Sequence, residues 1–471
     1  MSGQRLQEVD YLISDAMVLT LDDHDTAWRH GAIAIKGHEI VAVGRDPELR
    51  AGFRAGRTID GRGKLALPGL INAHSHMAMS TMRGITHDVP DVLYNIMWPL
   101  EKVLRQEDIY DLAMLGAVES LKAGTTCLVD HYFFMEEIAR ACVDAGIRGM
   151  LGHTVMSADG PFTGEGELEA AFAFVEKWKG RHPLVTPFFA PHAADTVRPE
   201  WLRELAEAAG REALGLHLHV AQSEREVAVL KERYHKTPVQ LLAETGILGP
   251  RTLAAHCILL GPGDAGLLAQ SGTTAVFCPT VHGCGGKVCR AAGLVAQGVR
   301  VGLGSDCASC NDDMNMFEEL RMAVVVQNAI EAAPGAIRTR QALRMATRVN
   351  AQALGLAGRL GQIAPGFYAD LVLLDVTAPR WTPMVNVEAN LVFCSSERDV
   401  DTVFVGGRPV VEGGRLTMVD ETKVVARAEA TLRRIFERAS LAQPRFVQSL
   451  PRTRFADETQ PNTQNMGTAT S

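Results

Sequence analysis

From about Pro68 to Leu356, short apolar runs alternate with stretches whose apolar residues recur at helical spacing. This alternation limits the fold more than any other feature of the chain. Eight runs read as strands: Leu65–Ile71, Thr125–Val129, Gly149–His153, Leu184–Ala190, Leu214–His219, Thr252–His256, Thr274–Cys278 and Val301–Gly304. Helical stretches lie between them at Ile109–Ala123, Glu136–Ala145, Leu168–Trp178, Pro199–Ala209, Thr237–Gly246 and Phe317–Ile330. Such strands pair in parallel, because the helix supplies the long crossover that a parallel pair needs. Eight β/α units in roughly 290 residues suit a closed (β/α)8 barrel better than an open sheet. The expected fold class is therefore α/β, with a TIM-like barrel at its centre.

The strand ends carry a second pattern. Side chains i and i+2 of a strand share a face. His74 and His76, in Leu70-Ile71-Asn72-Ala73-His74-Ser75-His76, can thus aim at one point from the first run. Neutral imidazole is the commonest nitrogen ligand of zinc and also suits iron and nickel. His217-Leu218-His219 closes the fifth run, His256 the sixth, and Ser305-Asp306 follows the eighth. Barrels of this kind keep their chemistry at the C-terminal ends of the strands. Four such ends bearing ligand-type residues are much harder to obtain by chance than a lone His-x-His in a turn.

Outside the barrel region the texture changes. Tyr11-Leu12-Ile13, Ala16–Thr20, Gly31–Ile35 and Glu39–Gly44 are short strand-like runs, and the same texture returns in Ala369–Asp375 and Asp401–Val411. Thr453–Ser471 is rich in Thr, Gln, Asn and Asp, with too little apolar surface to offset its ordering entropy, so disorder is expected there. Net charge is −8, which gives no electrostatic footprint for nucleic acid or an anionic membrane. No run approaches the ~20 apolar residues of a membrane span. The first ten residues lack a signal peptide's basic-then-apolar layout, and nine cysteines at irregular spacing read as free thiols in a reducing cytoplasm.

Several of these segments together resemble the amidohydrolase superfamily. The narrower resemblance is to its branch of chlorotriazine hydrolases and deaminases of S-adenosylhomocysteine, methylthioadenosine and guanine. Leu67–Met79 with Met82-Arg83-Gly84 resembles the branch's first-strand signature, and Trp98-Pro99-Leu100-Glu101 its lid segment. Ala190-Pro191-His192 and Gly304-Ser305-Asp306 resemble the fourth and eighth strand ends. Thr347–Gly355 and Gly361–Leu371 resemble the exit from the barrel. The match implies a barrel over 68–368 and a small β-sandwich built from both chain ends, 1–67 and 369–450, with 451–471 as the tail.

Residue by residue, the resemblance implies that His74, His76, His219 and Asp306 bind one divalent ion, zinc by default with iron the alternative. No lysine stands between Leu184 and Ala190 to bridge a second ion. Asp306 would also take the proton of the attacking water. His256 matches the histidine that hydrogen-bonds that water or the tetrahedral centre; a supporting packed role is the alternative. His192 matches a histidine that contacts a ring or ribose group of the substrate, again with a structural alternative. Trp98 and Glu101 fall in the lid near the substrate. His217 lies a layer below His219, which favours a packed or supporting role.

The chain departs from the branch in two places. Three residues beyond His219, where the deaminases usually carry a glutamate that protonates the ring nitrogen, stands Gln222. An amide donates and accepts hydrogen bonds but does not titrate. Glu224 and Glu226 follow, and are expected in an exposed first helical turn. After the seventh strand the usual asparagine-containing loop is replaced by Pro279–Arg290; His282, Lys287 and Arg290 there either recognise a substrate carbonyl or carboxylate or are solvated charges. Cys278, Cys284, Cys289, Cys307 and Cys310 gather nearby, as packed thiols or as a second, thiolate metal site.

The function these features imply is metal-dependent hydrolysis of a C–N bond of a small molecule, most commonly deamination of a purine-like or triazine-like N-heterocycle. Gln222 adds weight to a urea, carbamate, amide or halogenated heterocycle as substrate. A catalytically silent binding protein on the same fold is the reading from another class. By analogy with the branch, a homo-oligomer is expected.

Overall fold

The computed structural model describes residues 6–450. The tail expected to be disordered, 451–471, lies outside the described residues. An eight-stranded parallel sheet runs in sequence order through β1 (Leu70–Ser75), β2 (Thr125–Tyr132), β3 (Arg148–Val155), β4 (Val185–Pro191), β5 (Leu216–Val220), β6 (Thr252–His256), β7 (Thr274–Phe277) and β8 (Arg300–Leu303). Every residue of β2, β3, β5 and β6 is buried, as expected of parallel strands covered by helices on one face and barrel interior on the other. The α/β barrel expected from the strand–helix alternation is present.

Closure occurs between β1 and β8. The Asp306 N–H donates to the His74 carbonyl at 2.9 Å, just past the end of β8. Below it, the Asn72 amide donates to Ser305 Oγ at 2.7 Å. The Asn350 amide spans the seam, donating to the carbonyls of Ile71 (2.7 Å) and Leu303 (2.9 Å). Gly304 is required here: a Cβ at that position would sit 2.8 Å from the His74 nitrogen. The seam therefore sets the spacing between His74 and Asp306.

The second sheet has nine strands and draws on both ends of the chain. Lys64–Pro68 pairs antiparallel with Leu371–Asp375 and in parallel with Met17 and Val18. This corrects the expected first strand. Leu65–Ile71 is one apolar run in the sequence, but its first half belongs to the outer sheet and only Leu70 onward enters the barrel. The break falls at Gly69, where a Cβ would meet Thr126 Oγ1 at 2.1 Å. Both halves are fully buried, so hydrophobicity alone does not mark the division.

A buried ion pair ties the two sheets together. Arg148, opening β3, donates from Nε and Nη2 to the two carboxylate oxygens of Asp370 at 3.0 Å each. Asp370 also accepts from the Gly406 N–H at 2.7 Å. Among the described residues, no helix is long and apolar enough to cross a membrane.

Candidate metal centre and active site

The C-terminal ends of β1, β5, β6 and β8 bring His74, His76, His219, His256 and Asp306 together. Asp306 Oδ1 lies 3.4 Å from His74 Nε2 and 3.5 Å from His76 Nε2, and His76 Nε2 lies 3.3 Å from His219 Nε2. Asp306 Oδ2 faces the other way, 4.0 Å from His256 Nε2. Backbone strain marks the same rim. His256 (φ +78°), Cys257 (+49°), Asp306 (+63°) and Ala221 (+51°) all sit in the left-handed region, which non-glycine residues adopt at a cost and mostly at functional sites.

The hydrogen bonds on the far side of each ring decide which nitrogens face inward as lone pairs. His76 Nδ1 donates to the His131 carbonyl at 2.7 Å, and His219 Nδ1 donates to the His192 carbonyl at 3.0 Å. In neutral rings the Nε2 atoms are then bare, and two bare nitrogens 3.3 Å apart are reconciled by a cation between them. Burial drives the pKa of His74 and His219 far below the ordinary histidine value, which keeps those two rings neutral. His74 Nε2 is buried with no hydrogen-bond partner among the described residues. Ligand atoms about 2.0–2.1 Å from a tetrahedral zinc lie about 3.3 Å from one another. The donor set therefore fits a divalent ion held by His74, His76, His219 and Asp306.

Above these groups opens a cavity of about 240 Å³. Trp98, Glu101, His192, Gln222, His256 and His282, the other residues singled out in the sequence, all line it. Its walls are otherwise largely apolar, including Leu93, Met97, Phe133, Met156 and Ile258. The His192 ring, held by Thr196 Oγ1 at 2.9 Å, lies 6.3 Å from the Trp98 ring. Burial lowers the pKa of His192 to about 3 and that of His282 to about 4, so both rings are neutral at physiological pH. Glu101 is the opposite case. Burial pushes its carboxyl up to about 7, against the partial relief of a 2.7 Å hydrogen bond from the Tyr132 hydroxyl.

Two residues of the site, His131 and Glu226, are missed or misjudged by sequence reasoning, and a third, His282, is left by it with two alternatives. His131, at the end of β2, joins the cluster with His74, His76 and His219; its Nδ1 bonds Thr154 Oγ1 at 2.9 Å and its Nε2 has no partner among the described residues. Only its place at the close of an apolar strand could have signalled it. Glu226 is not exposed but 1% accessible. Its carboxylate turns back to accept from the N–H groups of Ala221 (3.0 Å) and Gln222 (2.8 Å), fixing the strained turn that delivers Gln222 to the cavity. Burial, with Asp195 nearby, pushes its carboxyl up to about 8. His282 is 2% accessible and packed against His256, not a solvated charge.

The remaining assignments separate cleanly. His217 sits beneath the site, its Nε2 2.8 Å from His74 Nδ1. Glu224 is on the surface and pairs at 2.8 Å with Lys287, which also reaches the edge of the cavity, and Arg290 pairs with Glu331 at 3.1 Å. Cys307 and Cys310 line the cavity close to Asp306, whereas Cys284 is exposed and Cys278 and Cys289 are buried away from it.

Comparison with known proteins agrees with this geometry. The family model described as the amidohydrolase family matches residues 65–410. A 5-methylthioadenosine/S-adenosylhomocysteine deaminase of Pelotomaculum thermopropionicum is 37% identical over 434 residues, covering 91% of this chain and 99% of that protein. A 5'-deoxyadenosine deaminase of Methanosarcina mazei is 32% identical over 435 residues, covering 92% and 99%. The crystal structure of an adenosine deaminase from Xanthomonas campestris with bound zinc superposes with a TM-score of 0.88 at 29% identity, covering 92% of this chain and 99% of that one. With its barrel, its paired ends and a match running from the outer-sheet strand before β1 to the far side of the second sheet, the chain belongs to the amidohydrolase family.

Proposed function

We propose that the protein hydrolytically deaminates an adenosine-like purine. The observation that carries the reading is the approach of Asp306 to His74 and His76, and of His76 to His219, at an apolar cavity that His76, His219 and Asp306 line, in a chain whose relatives are named as deaminases of such nucleosides. His74, His76, His219 and Asp306 would hold the divalent ion, zinc by preference, whose chemistry there would be to lower the pKa of a bound water toward neutrality. The chain's own groups do the rest. Asp306 Oδ1 faces the imidazoles, which leaves Oδ2 to take the water's proton. His256, beside Oδ2, stands where it can hydrogen-bond the oxygen that gains charge. Trp98 and Met97 offer flat apolar surface to a heterocycle, and the second oxygen of Glu101 is available to accept from hydroxyl groups of the kind a nucleoside offers. Gln222 can hydrogen-bond a ring nitrogen without protonating it.

That last point favours a second reading, hydrolysis of a urea, carbamate, amide or halogenated heterocycle, whose leaving group needs less protonation. A silent binding protein is disfavoured, because a buried His74 Nε2 without a partner is costly to keep empty. The test is turnover of 5'-methylthioadenosine, S-adenosylhomocysteine and 5'-deoxyadenosine by zinc-loaded protein, beside aminotriazines, phenylureas and carbamates, with ammonia and amine release read separately. Ammonia from the nucleosides supports deamination; amine from ureas without ammonia from any nucleoside replaces it with the second reading. Asp306→Ala is expected to abolish turnover, and full activity of that variant without metal overturns both.

A further inference from the structure

We infer that His282 sets the tautomer of His256: its Nε2 donates a hydrogen bond to His256 Nδ1, so that His256 presents an N–H, not a lone pair, to the reacting oxygen. The inference rests on the site reading above and adds a positioning residue to it. The short helix Pro279–Cys284, just after β7, carries His282, and the ring lies between Phe277 and His256, tilted 50° and 51° to them, with centroids 5.5 Å and 5.4 Å away. His282 Nε2 is 3.2 Å from His256 Nδ1. Both rings are buried, which favours the neutral imidazole with a single N–H on each ring.

Two arrangements of those two hydrogens satisfy the contact. If His256 Nδ1 donates, the hydrogen of His282 moves to its Nδ1, which is buried and has no partner among the described residues. The bare His256 Nε2 then points its lone pair toward Asp306 Oδ2, 4.0 Å away. If His282 Nε2 donates instead, its Nδ1 is a bare acceptor, not an orphaned N–H, and His256 turns an N–H toward Asp306 Oδ2 at the cavity. The second arrangement wins on both counts, since an orphaned buried N–H is costly and a lone pair facing a carboxylate is repelled. A purely apolar residue at 282 would remove this bias and leave His256 as a mixture of tautomers.

The test uses the zinc-loaded full chain labelled with 15N in its histidine rings, His256 being assigned by the signals lost in His256→Ala. In the parent, His256 Nε2 is expected to carry the hydrogen and Nδ1 to appear as an acceptor. In His282→Phe, which keeps the volume and removes the donor, the His256 signals shift toward a tautomer mixture. His282→Gln, whose amide nitrogen can occupy the donor position, restores the parent pattern. With a nucleoside substrate, the phenylalanine variant loses about 10–100-fold in kcat, the range for removing an orienting partner, while KM stays within about twofold. A hydrogen found on His256 Nδ1 in the parent, or a rise in KM with kcat unchanged, overturns the inference. The ring spectra need no substrate, so they decide it even if every nucleoside fails to turn over and the deaminase reading falls.

Discussion

His217 offers the sharpest test of how the site holds its ion. It is fully buried, and its Nε2 lies 2.8 Å from His74 Nδ1. For His74 to bind metal through Nε2, its hydrogen must sit on Nδ1, and among the described residues only His217 is placed to accept it. Replacing His217 with leucine fills the space but leaves that N–H without a partner. Loss of an orienting partner of this kind weakens metal binding about 10–100-fold, or about 1.4–2.7 kcal/mol. At fixed free zinc the same amount is lost from the stability of the loaded protein by linkage. The metal-free protein should behave differently. There leucine removes the unpartnered His217 Nδ1 but leaves His74 Nδ1 unpaired, so the two effects oppose and the apo melting temperature should change little. The assay is competition with a chelator for zinc, combined with melting curves of both forms. His217→Gln supplies an amide oxygen to the same N–H and should recover most of the affinity. A zinc dissociation constant for His217→Leu within twofold of the parent would refute the reasoning.

Other consequences follow from charge and burial. Burial raises Glu101 from 4.5 to about 7, so the folded chain retains a proton that the unfolded chain releases; stability should fall as pH rises from about 4.5 to 7, and Glu101→Gln should flatten that slope in melting curves. Arg148→Met leaves Asp370 buried with only the Gly406 N–H, and urea denaturation should show a loss of about 3–5 kcal/mol, whereas a loss below about 1 kcal/mol denies the pair its place between the sheets. Gln222→Glu restores a titratable group at the cavity wall, and the kcat/KM preference for aminopurines over ureas should rise about tenfold or more; an unchanged preference removes position 222 from proton transfer.

The barrel was legible because its signal is repeated: eight runs and their intervening helices agree, and the ligands recur at the strand end where a barrel exposes side chains. The second sheet was visible only as texture, and its one strand nearest the barrel was misassigned, since Leu67 and Leu70 are equally buried on either side of Gly69. Within the candidate site, residues placed by their own strand position, such as His74 and His219, could be located from the sequence. Those that act through a partner distant in sequence could not. His131 meets the cluster only after β2 has been laid beside β1, and the value of His282 depends on His256 lying across a 3.2 Å contact. Glu226 looked like an ordinary helix-opening acid; what buries it is the left-handed turn at Ala221, which leaves two backbone N–H groups aimed at its carboxylate.

That turn also bears on why the substitution at position 222 need not mean lost chemistry. A chain drifting away from catalysis would be expected to relax the strained backbone around its centre first, because left-handed non-glycine residues cost stability without any return in packing. Here the strain persists at Ala221, His256, Cys257 and Asp306, on three separate strand ends, and each is braced: Ala221 by Glu226, His256 by His282, and Asp306 by the β1–β8 seam. The three braces come from three different segments of the chain, so no single packing accident produces them. A rim held in this way is shaped for a reaction, and Gln222 is best understood as altering which proton the reaction moves, not whether it occurs.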